Sequence, residues 1–225
     1  MKIAKRPEPM GNPCPMEPAL DYSFPGITGD MERLRPALAL VLETAGWTAP
    51  DEVAILNLAC GRADETGVLL ETATPRATRR FYLGIDIRAA EIREARARWR
   101  PARRPADEIE FRHGDASLRM DGLPDFDLVF LRHQNFWTDA PVWTRIFRHA
   151  IGRLKADGLL MITSYFDHEH ELATACLMDL GLHRLAELTN PRTRSLDDAP
   201  GKSVDRRIAV FGAGGLRSGG GRVIV

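Results

Sequence analysis

The sequence predicts an α/β fold: a doubly wound, mostly parallel sheet of seven strands with an antiparallel terminal hairpin. Short apolar runs alternate with helical patterns along most of the chain, which is typical of a parallel sheet covered on both faces. The last two runs, 183–189 and 204–211, have no helix between them. They therefore favour an antiparallel pair at the sheet edge.

Five further strands and five helices precede or flank that hairpin. The strands are predicted at 53–58, 81–87, 109–112, 126–131 and 159–164. Apolar residues spaced three and four apart, with Gly and Pro stops, predict helices at 30–45, from Asp64 onward, and at 89–100, 141–154 and 169–180. The 225 residues suit one domain, which we place at 30–211. A proline-rich arm over 1–29 precedes it, and we hypothesise that this arm folds over the cofactor as a lid that excludes water. A glycine-rich flexible tail over 212–225 follows, whose last residues could add an edge strand.

The amino-acid composition limits the classes of molecule that this chain is expected to bind and the compartment in which it is expected to act. The 31 basic and 31 acidic residues leave no net charge, which argues against nucleic acid or an anionic membrane and favours a small molecule. No apolar window is long enough for a membrane span, and the first residues lack the apolar core of a leader. Three distant cysteines, without the spacing of a zinc or redox site, indicate a reducing cytoplasm. We predict no metal site, and composition does not indicate an oligomeric state.

The stretch VAILNLACGRADETGVLL, residues 53–70, predicts a buried strand, a turn of small residues and a helix. Ala59, Gly61 and Ala63 alternate in the turn, so backbone N–H groups can approach a cofactor closely. Asp64 and Glu65 follow at the helix start. Two carboxylates there would repel a pyrophosphate and would accept a cationic or zwitterionic ligand.

Polar groups stand where the other strands end, the edge at which open parallel sheets bind ligands. Asp86 follows the second strand, 25 residues after Gly61, where an acid commonly binds a ribose diol. The third strand ends in HGDA, the fourth in LRHQNFW and the fifth in SYFDHEH. These segments cover 113–116, 131–137 and 164–170 and are expected to meet at one edge.

Together these strand ends resemble the class I S-adenosylmethionine-dependent methyltransferases over about residues 53–211, including FDLVF, LKADGLLMI and the closing hairpin. The resemblance implies a Rossmann-like methyltransferase fold with S-adenosylmethionine as cofactor. It implies the methionine part near the first turn, the ribose on Asp86, the adenine at Asp115 and Ala116, and the sulfonium between Arg132 and His133. The implied cofactor residues are Asn57, Leu58, Ala59, Cys60, Gly61, Asp86, Ile87, Gly114, Asp115, Ala116 and Arg132.

The chain departs from the family pattern at three positions. Asn57 stands where the family usually carries Asp or Glu, and Ala59 and Ala63 stand where it carries glycines. An amide can still bond an amino group, but without a charge. We hypothesise that Asp64 or Glu65 compensates for the missing acid.

Methyl transfer from a sulfonium is a direct displacement, which needs alignment above all. A weakly acidic hydroxyl or a protonated amine would also need a base, and we predict His133 in that role, with Asn135 or Tyr165 positioning the substrate. The predicted reaction is methyl transfer to an oxygen or nitrogen of a small molecule. QNFW loosely resembles a motif of nucleobase methyltransferases but lacks its prolines, so nucleic-acid methylation is not inferred.

Two alternatives stay open. An NAD(P)-dependent oxidoreductase could share Asp86 and the small-residue turn, although the acids at the phosphate position and the antiparallel sheet end count against it. A non-catalytic protein that binds an adenosyl ligand is the second, suggested by Asn57 and Ala59.

Overall fold

The structure is a computed structural model that describes residues 26–99 and 106–213, and the backbone of 222–224. Most of the predicted N-terminal arm, with its lid function, and most of the glycine-rich tail lie outside the described residues. The helices are α1 (Ile27–Thr44), α2 (Thr66–Ala73), α3 (Ala89–Trp99), α4 (Ala140–Ile151) and α5 (Asp167–Asp179). The strands are β1 (Glu52–Leu58), β2 (Arg79–Asp86), β3 (Asp107–His113), β4 (Phe126–Leu131), β5 (Leu154–Ser164), β6 (His183–Thr189), β7 (Arg194–Ser195), β8 (Ser203–Val204), β9 (Arg207–Gly212) and β10 (Arg222–Ile224).

The main sheet has the order β10–β6–β9–β5–β4–β1–β2–β3. Every pair is parallel except those made by β9, which runs antiparallel to β5 and to β6. The predicted seven-stranded, mostly parallel sheet with its antiparallel end is confirmed, and the short β10 adds an eighth strand parallel to β6. Chain order reverses between β1 and β4, so the crevice for a ligand is expected above that pair.

Two apolar layers hold helices on both faces of the sheet. One joins β-strand residues such as Ile55 to α1, α2 and α3, and the other joins Leu56 and Leu58 to α4 and α5. Adjacent residues of β1 thus serve opposite layers, because successive side chains of a strand point to opposite faces. This explains why the strand is a continuous apolar run rather than an alternating one.

The structure changes two predicted elements. The helix after the first turn begins at Thr66, so Asp64 and Glu65 precede it. The strand predicted over 204–211 is interrupted: β8 ends at Val204, Asp205 adopts a left-handed φ of 50°, and β9 begins at Arg207. β8 pairs with β7 in a separate two-stranded hairpin. The side chain of Asp205 is buried against neighbouring polar groups, and these contacts hold the break.

Among the described residues, no helix combines the length and apolar character that crossing a bilayer requires.

Gly84 lies in the middle of β2, between Asn57 of β1 and Phe111 of β3. A Cβ there would lie 2.6 Å from Phe111 Cδ1 and 3.0 Å from Cys60 Sγ. We predict that Gly84→Ala lowers the free energy of unfolding by about 1–3 kcal/mol, because the core must shift to accept the methyl group. Urea denaturation measures this.

Gly29→Ala is the matched control, since a Cβ on this α1 residue would meet only the flexible guanidinium of Arg33, at 3.2 Å. Alanine is the better helix former, so stability should stay or rise by up to about 1 kcal/mol. Equal losses in both variants would contradict the packing argument at Gly84.

Candidate active site

The carboxyl ends of the central strands open into one cavity of about 740 Å³, a volume typical of small-molecule sites. Its floor is formed by the loops after β1, β2, β3, β4 and β5. The start of α1, one side of α4 and the β7–β8 hairpin complete the walls. The cavity therefore lies at the reversal of strand order, where an α/β sheet binds ligands.

Most of the cofactor residues expected from the sequence line this cavity. They are Ala59, Cys60, Gly61, Asp86, Ile87, Gly114, Asp115, Ala116 and Arg132. Asn57 and Leu58 do not: both side chains are fully buried, because β1 continues through Leu58 and the sheet covers them. Neither side chain is therefore exposed to this cavity, and the implied place of Asn57 and Leu58 near the methionine part of the cofactor stays a prediction.

The first turn has the backbone that close approach to a ligand requires. Ala59, Gly61 and Ala63 all have left-handed φ angles, of 55°, 54° and 59°. Gly61 N donates to Asp86 Oδ2 at 2.8 Å, which ties the first turn to the end of β2. A Cβ on Gly61 would meet the flexible end of the Arg88 side chain, at 3.2 Å, so glycine is favoured there by the left-handed backbone rather than by lack of space.

Asp86 is a buried carboxylate at the cavity edge. Burial alone would raise its pKa, but hydrogen bonds from Arg88 and Gly61 outweigh that effect and lower it, so the group is ionised. Arg88 Nε lies 3.1 Å from Asp86 Oδ1, and its side chain is more than half exposed. An exposed side chain can yield this position to the hydroxyls of a ribose.

The two acids that follow the turn, Asp64 and Glu65, have different surroundings. Glu65 is buried, accepts a hydrogen bond from Asn57 Nδ2 at 2.5 Å and lies 3.6 Å from Arg132 Nη1. Asp64 forms ion pairs with Arg62, at 3.2 Å, and with Arg98. Two arginines thus neutralise Asp64, and Glu65 is the acid that contacts the position where the family carries its own.

The environment of Glu65 makes its charge responsive to a ligand. Burial raises the pKa of its carboxyl group, while Arg132 and the Asn57 amide act in the opposite direction. Asn57 Nδ2 also donates to the Tyr82 hydroxyl at 2.8 Å, which anchors the amide under the turn. A cation in the cavity would favour the ionised form of Glu65.

Asp205 is the site residue that the sequence prediction missed. Arg132 donates to its carboxylate through Nε at 3.0 Å and Nη2 at 2.7 Å, and Thr163 Oγ1 donates at 2.8 Å. Burial would raise the pKa of Asp205, but Arg132 and His133 overcome this and lower it. The available signal was an acid inside the otherwise strand-like run VDRRIAVF.

His133 is held against this carboxylate. Its Nε2 lies 2.8 Å from Asp205 Oδ1, and its ring stacks on Tyr165 with the centroids 3.7 Å apart. Its left-handed backbone, with φ of 57°, is fixed by a 3.1 Å hydrogen bond from its N–H to Thr163 O. Burial lowers the pKa of the imidazole, so His133 is neutral near pH 7.

Neither His133 Nδ1 nor the Tyr165 hydroxyl has a hydrogen-bond partner among the described residues, and both residues line the cavity. His133 Nε2 has two contacts with Asp205: the backbone N–H donates to it at 3.2 Å, and the carboxylate Oδ1 lies 2.8 Å away. The position of the imidazole proton is an assignment, and we take the tautomer that carries it on Nε2, towards the carboxylate, which leaves Nδ1 as the acceptor. Burial raises the pKa of Tyr165 to about 12, so its hydroxyl stays protonated.

Several other polar and aromatic side chains near the strand ends lie outside the cavity. Asn135 is exposed and accepts from Thr138 Oγ1 at 2.8 Å, so the structure does not bring it to the cavity. Trp137 is also outside and packs on Phe166, whereas Trp143 lines the cavity. His168 is exposed and His170 buried, as expected for two residues on different sides of a helix. No cluster of metal-ligand side chains occurs in the described ranges.

Comparison with known proteins shows which domain part of this chain resembles. Residues 55–158 match the family model described as a methyltransferase domain. The match covers a little less than half of the chain. No curated protein sequence matches the chain significantly.

Solved structures share its fold. An S-adenosylmethionine-dependent methyltransferase from Clostridium acetobutylicum aligns with a TM-score of 0.61 at 13% identity, over 84% of this chain and 95% of that one. N-methyltransferase NodS from Bradyrhizobium japonicum, in complex with S-adenosyl-L-homocysteine, aligns with a TM-score of 0.59 at 17% identity, over 85% and 93%. Precorrin-6y C5,15-methyltransferase from Geobacter metallireducens aligns with a TM-score of 0.53 at 16% identity, over 78% and 86%.

The cavity has features that fit S-adenosylmethionine. The left-handed turn at Ala59 and Gly61 leaves the backbone open to a ligand, and Asp86 offers a buried carboxylate to a diol. Glu65 offers a second buried carboxylate to a positive charge. These features agree with an adenosyl group that carries a cationic amino acid.

Glu169 of α5 lies beneath the loops that carry the site residues. Its carboxyl is buried, and the backbone N–H groups of Tyr165 and Phe136 act on it. Burial raises its pKa to about 7 even so. Between its usual value of 4.5 and about 7, the folded protein therefore holds a proton that the unfolded chain releases.

We predict that the free energy of unfolding falls by about 1–3 kcal/mol from this group as pH rises through that window, and that Glu169→Gln removes this part of the fall. Urea denaturation at pH 5 and pH 8 measures the difference between variant and wild type. His133, whose pKa is lowered, acts in the opposite direction and is common to both proteins. Glu171→Gln, at an exposed position of the same helix, is the control; the same response in that variant would exclude burial as the cause.

Proposed function

We propose that this chain is an S-adenosylmethionine-dependent methyltransferase that methylates an oxygen or nitrogen of a small molecule held in the cavity, with His133 Nδ1 accepting the proton that the acceptor loses. The observation that carries the proposal is the His133–Asp205 pair: a neutral imidazole with one nitrogen against a buried carboxylate and the other accessible from the cavity. This is the arrangement of an oriented general base.

The order of the strands supports a division of the cavity into two halves. The ends of β3, β2 and β1 supply Ala116, Asp86 and Gly61 in adjacent positions. Neighbouring strands are about 4.8 Å apart, so these ends follow one another as adenine, ribose and methionine do in an adenosyl ligand. In this proposal Asp115, Ala116 and Ile87 hold the adenine, Asp86 the ribose, and the turn at 59–61 the methionine part.

The acceptor half then lies over the ends of β4 and β5. Arg132, His133 and Tyr165 stand there, and the β7–β8 hairpin covers them with Val204 and Leu196. The reacting centre falls between the two halves, close to Arg132.

Charge near that centre suits a cationic ligand. Arg132 carries one positive charge, and its two carboxylate neighbours, Asp205 and Glu65, carry two negative charges when ionised. The excess favours a positive group in the cavity. When bound, S-adenosylmethionine supplies a methyl group on a positively charged sulfur, so alignment of the acceptor supplies most of the catalysis.

The protein's own residues then remove one proton from the acceptor. Nδ1 of His133 takes it from the acceptor, and Asp205 stabilises the imidazolium through Nε2. Arg132 and Thr163 fix Asp205, so the imidazole keeps one orientation. The Tyr165 hydroxyl, which has no described partner, positions the acceptor by a hydrogen bond.

The rival readings are less well supported. A nicotinamide cofactor would place its pyrophosphate near Glu65, which is buried and carries a negative charge when ionised. A non-catalytic adenosyl-binding protein has no need of the oriented imidazole. The cytoplasmic location, with Cys60 and Cys176 free, and the exclusion of nucleic acid stay predictions.

Glu65 is proposed as the recognition group for the cofactor's cationic amino group. We predict that Glu65→Gln raises the Kd of S-adenosylmethionine about 10- to 100-fold, because a buried charge-assisted hydrogen bond is lost. Asp64→Asn should change it by less than about threefold, since arginines already neutralise that acid. Isothermal titration calorimetry measures both; equal losses, or a loss in the Asp64 variant alone, would refute the assignment.

His133→Ala is expected to lower kcat/KM about 100-fold or more while the Kd of S-adenosylmethionine changes by less than about twofold. Wild-type kcat/KM should fall on the acid side as His133 gains a proton, with its midpoint below the usual histidine value because burial lowers this pKa. His168→Ala, at an exposed histidine, is the control. Parallel losses of turnover and cofactor affinity would assign His133 to the cofactor half instead.

A further inference from the structure

We propose that the acceptor is an uncharged molecule with an apolar, preferably aromatic, body and a weakly acidic hydroxyl of the phenol class. The inference rests on the proposed function and concerns the acceptor half of the cavity. Three observations carry it: the charged groups there are closed into pairs, the remaining wall is apolar, and the accessible polar atoms are those that one hydroxyl needs.

The first observation, which we call charge closure, is that the charged side chains of the acceptor half are already paired with one another. Arg194 donates to both oxygens of Asp30, at 2.9 Å and 2.6 Å, which joins the β7–β8 hairpin to the start of α1 across the cavity wall. Arg132 makes the same two-point contact with Asp205. A carboxylate or ammonium on the acceptor would find its counter-charge already paired and would lose its own hydration on entry.

Lys202, whose ammonium lies over the Tyr165 ring, is also paired with a carboxylate. Its Nζ lies 4.9 Å from the ring centroid and 2.6 Å from Asp198 Oδ2. It therefore adds no unpaired positive charge to the acceptor half.

The second observation is the apolar wall. Ile27 and Met31 of α1 and Leu196 and Val204 of the hairpin line the cavity beside the stacked rings of His133 and Tyr165. Apolar surface of this kind gains free energy only by covering apolar surface of the ligand. It favours a hydrocarbon or aromatic body over a polar one.

The third observation is the pair of accessible polar atoms. Both residues line the cavity, and in the tautomer assigned above His133 Nδ1 accepts while the Tyr165 hydroxyl donates, so one hydroxyl on the acceptor satisfies both. A phenolic hydroxyl, with a pKa of about 10, yields its proton to an imidazole far more readily than an aliphatic alcohol does.

The step balances without another reactant. The acceptor oxygen forms the new C–O bond as the C–S bond breaks, and that electron pair stays on sulfur, which becomes a neutral thioether. The hydroxyl proton passes to His133 Nδ1 and leaves to solvent after the product departs. Nothing is oxidised or reduced outside this displacement.

The test compares three matched phenols as methyl acceptors for the full chain: 4-ethylphenol, 4-hydroxyphenylacetate and tyramine, with 4-ethylcyclohexanol as the aliphatic alcohol. Formation of S-adenosyl-L-homocysteine and the mass and site of the product are measured. We expect O-methylation of 4-ethylphenol with kcat/KM at least about tenfold above each of the others.

Each other result overturns the proposal. A charged phenol preferred by the same factor, equal rates, N-methylation of tyramine, or no methylation of any probe would show that the acceptor class is wrong. Calorimetry of S-adenosylmethionine binding in the same samples distinguishes a wrong acceptor class from a wrong proposed function. If the cofactor does not bind, the proposed function itself fails.

Asp30→Asn tests charge closure directly, because it leaves Arg194 without its carboxylate partner. The ratio of kcat/KM for 4-hydroxyphenylacetate to that for 4-ethylphenol should rise about tenfold. Leu196→Arg adds a cation to the same wall and should shift the ratio in the same direction, which keeps the test valid if the Asp30 variant does not fold. Asp121→Asn, at an exposed acid, should leave the ratio unchanged. An unchanged ratio in both cavity variants would exclude paired charges as the basis of selectivity.

Discussion

The buried carboxylate of Asp205 is the constraint on which the candidate site depends. It accepts hydrogen bonds from the Arg132 guanidinium and the Thr163 hydroxyl, and it contacts the His133 imidazole. These three side chains come from the ends of β4 and β5. The same residue breaks the terminal strand, because its left-handed backbone turns the chain from β8 into β9. The residue that breaks the strand thereby also holds the imidazole that we propose as the base.

Glu65 supplies a negative charge next to the end of β1. The resemblance to the methyltransferases places an acid at position 57, where this chain carries an amide. Asn57 donates to the carboxylate of Glu65, eight residues further along the chain, so the amide holds a buried acid under the turn.

The sequence predicts most of the fold, since alternating apolar runs and helical patterns report burial directly. It also places Asp86, Asp115 and Gly61 at the cavity, because strand ends of a parallel sheet converge. It misses Asp205, whose role comes from contacts with residues 42 and 73 positions away. Asn135 lies outside the cavity for a related reason: the sequence of a loop does not show which of its side chains point inward.

Asp205 contacts both Arg132 and His133, and the arginine weakens the effect of the carboxylate on the basicity of the imidazole. A carboxylate shared with Arg132 is a weaker partner for an imidazolium than an isolated one, and burial further lowers the pKa of His133. The imidazole therefore stays neutral and correctly oriented, but it is a weak base. A weak base deprotonates only a comparatively acidic group in step with methyl transfer, and an apolar cavity with its charges already paired excludes ions. Site basicity and cavity polarity thus select the same class of acceptor by independent physical routes.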